Sequence, residues 1–591
     1  MPVKTESAAL RRSFLSELAP AMVAALCALA ALALVLLPDF WARLHSGSWF
    51  WLPNHDGWIY LQFFFSHSPS PYPWMLFAPA RGLARLWNGG APGLILAWNA
   101  QAALLTTLPL FVWLYSLLGD SDRPRGFAFA LPPAIITLFF IFDTGALRYA
   151  PLLRQIGVLL NLTHGASILR QPYPPVFAQW DVLSPGLWLG YAFLFLWLVR
   201  RAQNAPSRPR KLAAMAALGA AFYVFFYLWT ALFGGLLLLA LFDRKAHAVA
   251  DAQPASNDSP AGSGWLFWLQ IAAGGLILGL PQLVWLWRRH SLTDWLARNN
   301  LGVVAFRLEP FHPGNLLLYG VTLFWLWRRA RGLLPAWCVS LAAWMLFYFQ
   351  PLLSGREYQN FHWLDLRNPL LYLIILLLLA REWQRLRQPW RRWGAGAAGF
   401  ILLAIAVSGV YIRLRQAAGP VSVRALRQWR SWPRAWERDR APEWRTGAVI
   451  AGPRVLLRLA AIRAGLDPLA GDAVLLNTAL NNAAWRRRLA LNFYLLHGPR
   501  RAAARRAIAA WLRHELFLHS ELSWTWVPAL RQRMQTQLMA DFLRIRRNPR
   551  PWVRRDRVRY LALPVKSGRP AWISGWRRLA SSSRWRVYQR N

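Results

Sequence analysis

At 591 residues, with 56% apolar residues gathered in blocks and only 16% charged, the chain does not read as a string of soluble domains. It reads as one polytopic membrane domain plus one soluble domain. The formal net charge of +44 points first to nucleic acid, but there is no zinc-finger spacing and no RNA-binding aromatic strand signature, so the cations are read as contacts to anionic lipid headgroups.

About 20 apolar residues cross a bilayer. The first run, 20–37, follows Lys4, Arg11 and Arg12 and ends in Leu36-Leu37-Pro38-Asp39, with no small-x-small cleavage pattern. It is read as an uncleaved first span. Further spans are expected at 92–118, 126–142, 182–199, 265–287, 314–327, 333–353, 368–380 and 394–412. Segment 212–242 is too long for one crossing, and basic clusters flank both ends: Arg208, Arg210 and Lys211 before, Arg244 and Lys245 after. Two short, tilted crossings place both clusters on one side and bring the total to about eleven spans. Many of the 37 Trp residues lie at the ends of these runs, at headgroup depth. Cys27 and Cys338 both lie inside apolar runs, which argues against a disulfide framework and a cysteine metal site.

With the N-terminus inside, the connections 119–125, 200–211, 243–264, 328–332 and 381–393 are cytoplasmic and rich in arginine. The polar, Pro/Gly/Ser-containing 251–264 reads as a linker. Loops 38–91, 143–181, 288–313 and 354–367 fall on the other side, as does the tail. Arg288, Arg289 and Arg298 run against the bias. The fold expected is therefore mainly α, a transmembrane helical domain over 1–414 followed by a small extracytoplasmic α/β domain over 415–591. That domain has 36 basic and 9 acidic residues, a net of +27. Its expected elements are strands at 447–451, 473–476, 558–563 and 585–588, and helices at 454–464, 483–497, 501–518 and 526–546.

The polar residues that could carry chemistry sit in the loops opposite the arginine-rich connections. Asn54-His55-Asp56-Gly57 follows the first span. A carboxylate beside a bilayer can act as general base on an acceptor hydroxyl, whereas the bland reading is an Asp-Gly turn. Asp39, just past the first span, is the rival carboxylate. Arg170-Gln171-Pro172-Tyr173 offers a guanidinium fork suited to phosphate, or simply a snorkelling cation. Tyr223, Tyr227, Trp229 and Thr230 fall where 212–242 turns and could stack on a sugar or form an aromatic belt. Arg356, Gln359, His362 and Arg367 crowd the loop 354–367, with sugar or phosphate binding and a plain solvated loop both open. His514 and His519 stand five apart, off a shared helix face, so no zinc-protease site is read there. No P-loop, GxGxxG or GxSxG sequence is present.

These features resemble the GT-C superfamily of polytopic glycosyltransferases, specifically bacterial members with a C-terminal extracytoplasmic α/β domain. The resemblance rests on Asn54-His55-Asp56-Gly57, the Arg170-to-Pro175 loop, the stretch Phe222 to Thr230, and Gly355 to Trp363. In the tail it rests on a strand, a basic spacer and a final Trp-x-Val-Tyr strand. It implies transfer of a sugar from a polyprenyl-phosphate donor to a glycan, lipid or protein acceptor at the periplasmic face of an inner membrane. It also implies Asp56 as base, with His55 beside it and Asp39 as the alternative. Asn54, Arg170, Gln171, Tyr173, Tyr227, Trp229, Arg356, Gln359, His362 and Arg367 become substrate-binding candidates. The chain has one acidic residue where the commonest pattern has a pair. That leaves the base and any divalent metal open; no other cofactor is expected. The rival readings are a transporter or flippase of an envelope lipid precursor and a non-catalytic envelope-assembly scaffold.

Overall fold

The computed structural model describes residues 3–46, 90–118, 127–142, 185–250, 264–288, 313–354 and 361–383, and scattered positions between 385 and 427. In the tail it describes 448–470 with short gaps, 482–512, 527–565, 571–582 and 584–590. The apolar runs become helices: α1 Val3–Ser46, α2 Gly90–Leu118, α3 Phe127–Phe142, α4 Pro185–Asn204, α5 Arg208–Phe222, α6 Phe226–Ala250, α7 Trp265–Arg288, α8 Pro313–Arg329, α9 Leu334–Ser354 and α10 Phe361–Trp383. Among the described residues, six stretches are long and apolar enough to cross a membrane: Leu18–Leu37, Gly93–Leu118, Phe226–Asp243, Trp265–Trp285, Arg331–Gln350 and His362–Trp383. The long segment 212–242 is broken, as expected, at Tyr223-Val224-Phe225.

The helices are apolar on both their buried and exposed faces, the pattern of a bundle solvated by lipid rather than water. On α1, Val23, Cys27, Ala31 and Leu34 are buried, while Met22, Leu26 and Leu29 on the opposite stripe are about 60% exposed. On α8, Leu317 and Phe324 are exposed, while Asn315, Tyr319 and Leu326 are buried. Without a hydrophobic drive between helices in lipid, close backbone approach supplies the packing. Gly275-Leu276-Ile277-Leu278-Gly279 in α7 is such a seam. A methyl group added at Gly275 or Gly279 would collide with Leu218 or Phe222 of α5.

Gly190 of α4 lies tighter still, against the carbonyl of Leu105 in α2. Neither backbone can yield as a side chain would. Gly190→Leu is therefore expected to destabilise the bundle by about 2–3 kcal/mol. Gly93→Leu, where nothing lies within 4 Å of an added Cβ, is expected to cost far less. Thermal unfolding in detergent checks this, and equal melting of the two variants would refute it.

The tail forms a five-stranded mixed sheet among the described residues, in the order β2-β1-β3-β5-β4. The strands are β1 Val449–Ala451, β2 Asp467–Pro468, β3 Val558–Pro564, β4 Trp576–Ser581 and β5 Trp585–Arg590. β1 runs parallel to β2 and β3, while β5 is antiparallel to β3 and β4. A parallel β1–β3 pair needs a long crossover. Here it includes α11 Asn482–His497, α12 Arg501–Trp511, α13 Val527–Arg547 and α14 Pro549–Arg555. β2, α14 and β4 are not in the sequence reading, and part of the basic spacer before the last strand is β4 itself. The expected strand 473–476 lies outside the described residues.

Asn492 of α11 ties helix to sheet. Its side chain accepts from the Gly452 amide at 2.9 Å and donates to the Gly452 carbonyl at 3.1 Å, fully buried. Asn492→Ala strands both groups without water and is expected to cost about 2 kcal/mol. Hydrogen exchange over 448–453 in the full chain should quicken accordingly, and unchanged protection would contradict this role.

Candidate functional site

Helix-end contacts sort the connections onto two faces. At one face, Arg200 donates from Nε to the Ser116 carbonyl at 2.9 Å, and Arg381 donates to those of Leu117 and Arg329 at 3.3 and 3.1 Å. Cations thus meet the carbonyl-rich C-terminal ends of α2 and α8, where the helix dipole favours them. Glu382 accepts from Arg329 at 2.5 Å, Arg385 at 3.0 Å and Trp325 at 3.2 Å. The C-terminal ends of α2, α4, α8 and α10 therefore share a face, as the arginine-rich connections required.

The opposite ends gather aromatic and polar residues. The α5–α6 turn meets the first turn of α10. The Tyr227 ring lies 4.8 Å from His362 and 4.9 Å from Trp363. Phe225 meets His362 edge-on at 5.5 Å. Trp363 donates its indole N–H to Thr230 Oγ1 at 3.0 Å. Two segments singled out separately in the sequence thus come together. Trp229 turns the other way and stacks on Phe222 at 4.2 Å. Tyr227 is buried, whereas His362 is half-buried.

α10 starts at Phe361, so His362 and Arg367 are helical rather than part of a loop reaching 367. Arg367 is wholly buried. It donates to Asn315 Oδ1 at 2.5 Å, Asn368 Oδ1 at 2.9 Å and the Tyr319 hydroxyl at 3.3 Å. Its guanidinium also lies 5.6 Å from the Tyr319 ring centre, a cation–π contact. Ser340 closes the network by donating to the Arg367 carbonyl at 3.2 Å, within 2.9 Å of the Tyr319 hydroxyl. Sequence reading missed Asn315, Tyr319, Ser340 and Asn368. Single polar residues inside apolar runs were the available signal, and their convergence needs the fold.

Asp39 is also wholly buried, near the end of α1, where Asn99 of α2 donates to its Oδ2 at 3.3 Å. Asn54, His55, Asp56, Arg170, Gln171, Tyr173, Arg356 and Gln359 lie outside the described residues. Among the described residues, no group of three or more His, Cys, Asp or Glu is placed to hold a metal ion. Asp243 accepts from the Trp268 indole near the arginine-capped face, away from these groups. The arrangement holds a desolvated guanidinium whose three nitrogens each donate to a protein oxygen, and it clusters rings at the face opposite the arginine-capped helix ends. The chain matches no protein-family model and no curated protein.

Proposed function

We propose that the chain is a membrane glycosyltransferase of the GT-C type. It takes a sugar from a polyprenyl-phosphate donor and passes it to an acceptor of the cell envelope. On this reading it crosses a bacterial inner membrane about eleven times. α3, α4, α5 and α8 join the six longer spans, the helical positions around 399–404 form the last, and the tail lies in the periplasm. Asp56 deprotonates the acceptor hydroxyl, and attack at the anomeric carbon inverts the configuration. Arg170 and Arg356 hold the leaving phosphate, where fixed positive charge stabilises the anion as it forms.

The observation that carries this reading is the meeting of Tyr227 with His362 at the face opposite the arginine-capped helix ends. A lipid-linked donor presents its sugar at a membrane face, and aromatic rings there suit a sugar. Arg367 adds a desolvated cation on the same helix as His362. That buried cation within a span also favours the transporter reading, since intramembrane charges mark transport paths.

The deciding experiment reconstitutes the purified full chain in vesicles with a panel of polyprenyl-phosphate sugars and an envelope extract as acceptor. Covalent appearance of the sugar on acceptor supports the transferase. Donor crossing the bilayer without transfer would support the transporter. Neither event, with acceptors varied, would leave the scaffold.

A further inference from the structure

Among the described residues of the tail, Asp541 and Asp556 are drawn into internal ion pairs while several arginines crowd together. Asp556 is buried and held by Arg487 and Arg488 at 3.3 Å. Asp541 pairs with Arg486 at 3.4 Å and Arg544 at 3.7 Å. Beyond them, Arg554, Arg555 and Arg557 follow closely at the end of α14, exposed, and lead into Arg559 of β3. Arg557 turns the chain there with φ 53°, a left-handed conformation that costs a non-glycine residue energy.

Strand register tightens the crowd. Tyr560 pairs with Gln589, so one step further Arg559 lies opposite Arg590. Like charges directly across a sheet repel. Arg590 accordingly has its pKa lowered, first by burial and then by the charges of Arg554 and Arg559. Among the described residues, its buried Nη1 has no hydrogen-bond partner. A fold that needed only a stable β3–β5 pair would not place two arginines at its end beside a third. The cluster is stabilised when an external anion lies across it.

The source of that anion follows from how the domain is held. The chain tethers the tail to helices with apolar, lipid-facing stripes, so a bilayer surface is its constant neighbour at high effective concentration. Anionic headgroups supply several phosphates in one plane and attract basic residues within about 10 Å. We infer that the corner formed by Arg554, Arg555, Arg557, Arg559 and Arg590 docks the tail domain on the phosphates of anionic lipid headgroups. The inference rests on the membrane helices, not on the glycosyltransferase reading, and stands or falls separately from it.

The test uses the full chain in lipid nanodiscs. Gly575→Cys, an open position just before β4, carries a fluorophore; Cys27 and Cys338 are buried and stay unlabelled. Quenching by a headgroup-attached nitroxide reports approach to the surface. Phosphatidylglycerol in place of phosphatidylcholine is expected to raise quenching about threefold or more, and about 0.5 M salt to reverse it. The triple change Arg554→Gln, Arg559→Gln and Arg590→Gln should remove the phosphatidylglycerol effect, while the corresponding lysine triple keeps it. If the glutamine triple fails to fold, the lysine triple and the salt titration of the wild type decide. Quenching indifferent to phosphatidylglycerol would overturn the inference. So would an unaltered response in a folded glutamine triple. Protection of the labelled site by inorganic pyrophosphate with no lipid effect would overturn it too, assigning the corner to a soluble phosphate.

Discussion

Asp56→Asn in the full chain is expected to lower sugar transfer by about 10²–10⁴-fold, the range that a positioned general base contributes. The amide keeps the size of the carboxylate and much of its hydrogen bonding but cannot take the acceptor's proton. The loss should therefore appear in kcat, with KM for the donor little changed. Melting of the variant should match the wild type, because the change leaves the apolar spans untouched. Asp39→Asn separates the two carboxylates. Asn99 already donates to Asp39 Oδ2, in a site with no exposure, so the Asp39 carboxylate is held as a helix-packing group. That variant is expected to lower the melting temperature more than the turnover per folded molecule. If transfer survives in Asp56→Asn and disappears in a stably folded Asp39→Asn, the base is Asp39.

The membrane helices were legible because lipid solvation leaves one dominant signal, the length of an apolar run. The break at Tyr223-Val224-Phe225 was legible for a different reason. No Pro or Gly marks it, but basic clusters at both ends of 212–242 demanded an even number of crossings. Element ends were less visible. Polar Arg367 lowers the local hydropathy, so the apolar run by sequence begins only at 368. In the fold the Arg367–Asn368 bond and the Asn315 contact let the helix start at Phe361. In the tail, β3 and β5 showed as apolar or alternating runs. β4 did not, because its Arg577 and Arg578 suit an exposed edge strand, where charge discourages edge-to-edge pairing.

The candidate site was legible in parts rather than as a whole. Tyr227 and His362 stand 135 positions apart in the chain, and each drew notice for its local setting alone. Only the packing of α6 and α10 brings their rings together. Tyr319, Asn315 and Ser340 gave weaker signals still. Each is one polar residue in an apolar helix, a pattern that more often means a satisfied backbone contact than a ligand. Their role follows from a partner, Arg367, that sequence distance hides.

That partner allows magnitudes to separate structure from function. Burying a guanidinium in a membrane helix costs about 3 kcal/mol on insertion scales. Hydrogen bonds from a charged donor to Asn315, Asn368 and Tyr319 return about 1.5–3 kcal/mol each at best, less where the 3.3 Å distance to Tyr319 weakens one. The two shorter bonds alone return about 3–6 kcal/mol, so the network offsets the burial cost and leaves Arg367 a few kcal/mol of net stability at most. Arg367→Met, which keeps the stem volume and removes the cation, leaves the Asn315, Asn368 and Tyr319 oxygens without their donor and is expected to destabilise the bundle by about 2–4 kcal/mol. Transfer should nevertheless fall by about 10²-fold, as when one preorganised donor is lost from an anion-stabilising site. Arg367→Lys should not restore it, because a point charge cannot serve acceptors on α8 and α10 as a planar fork does. Melting in detergent and turnover per folded molecule, measured on the same preparations, check both halves. A large loss of melting with turnover intact would make Arg367 a packing cation and leave anion binding to the loop arginines.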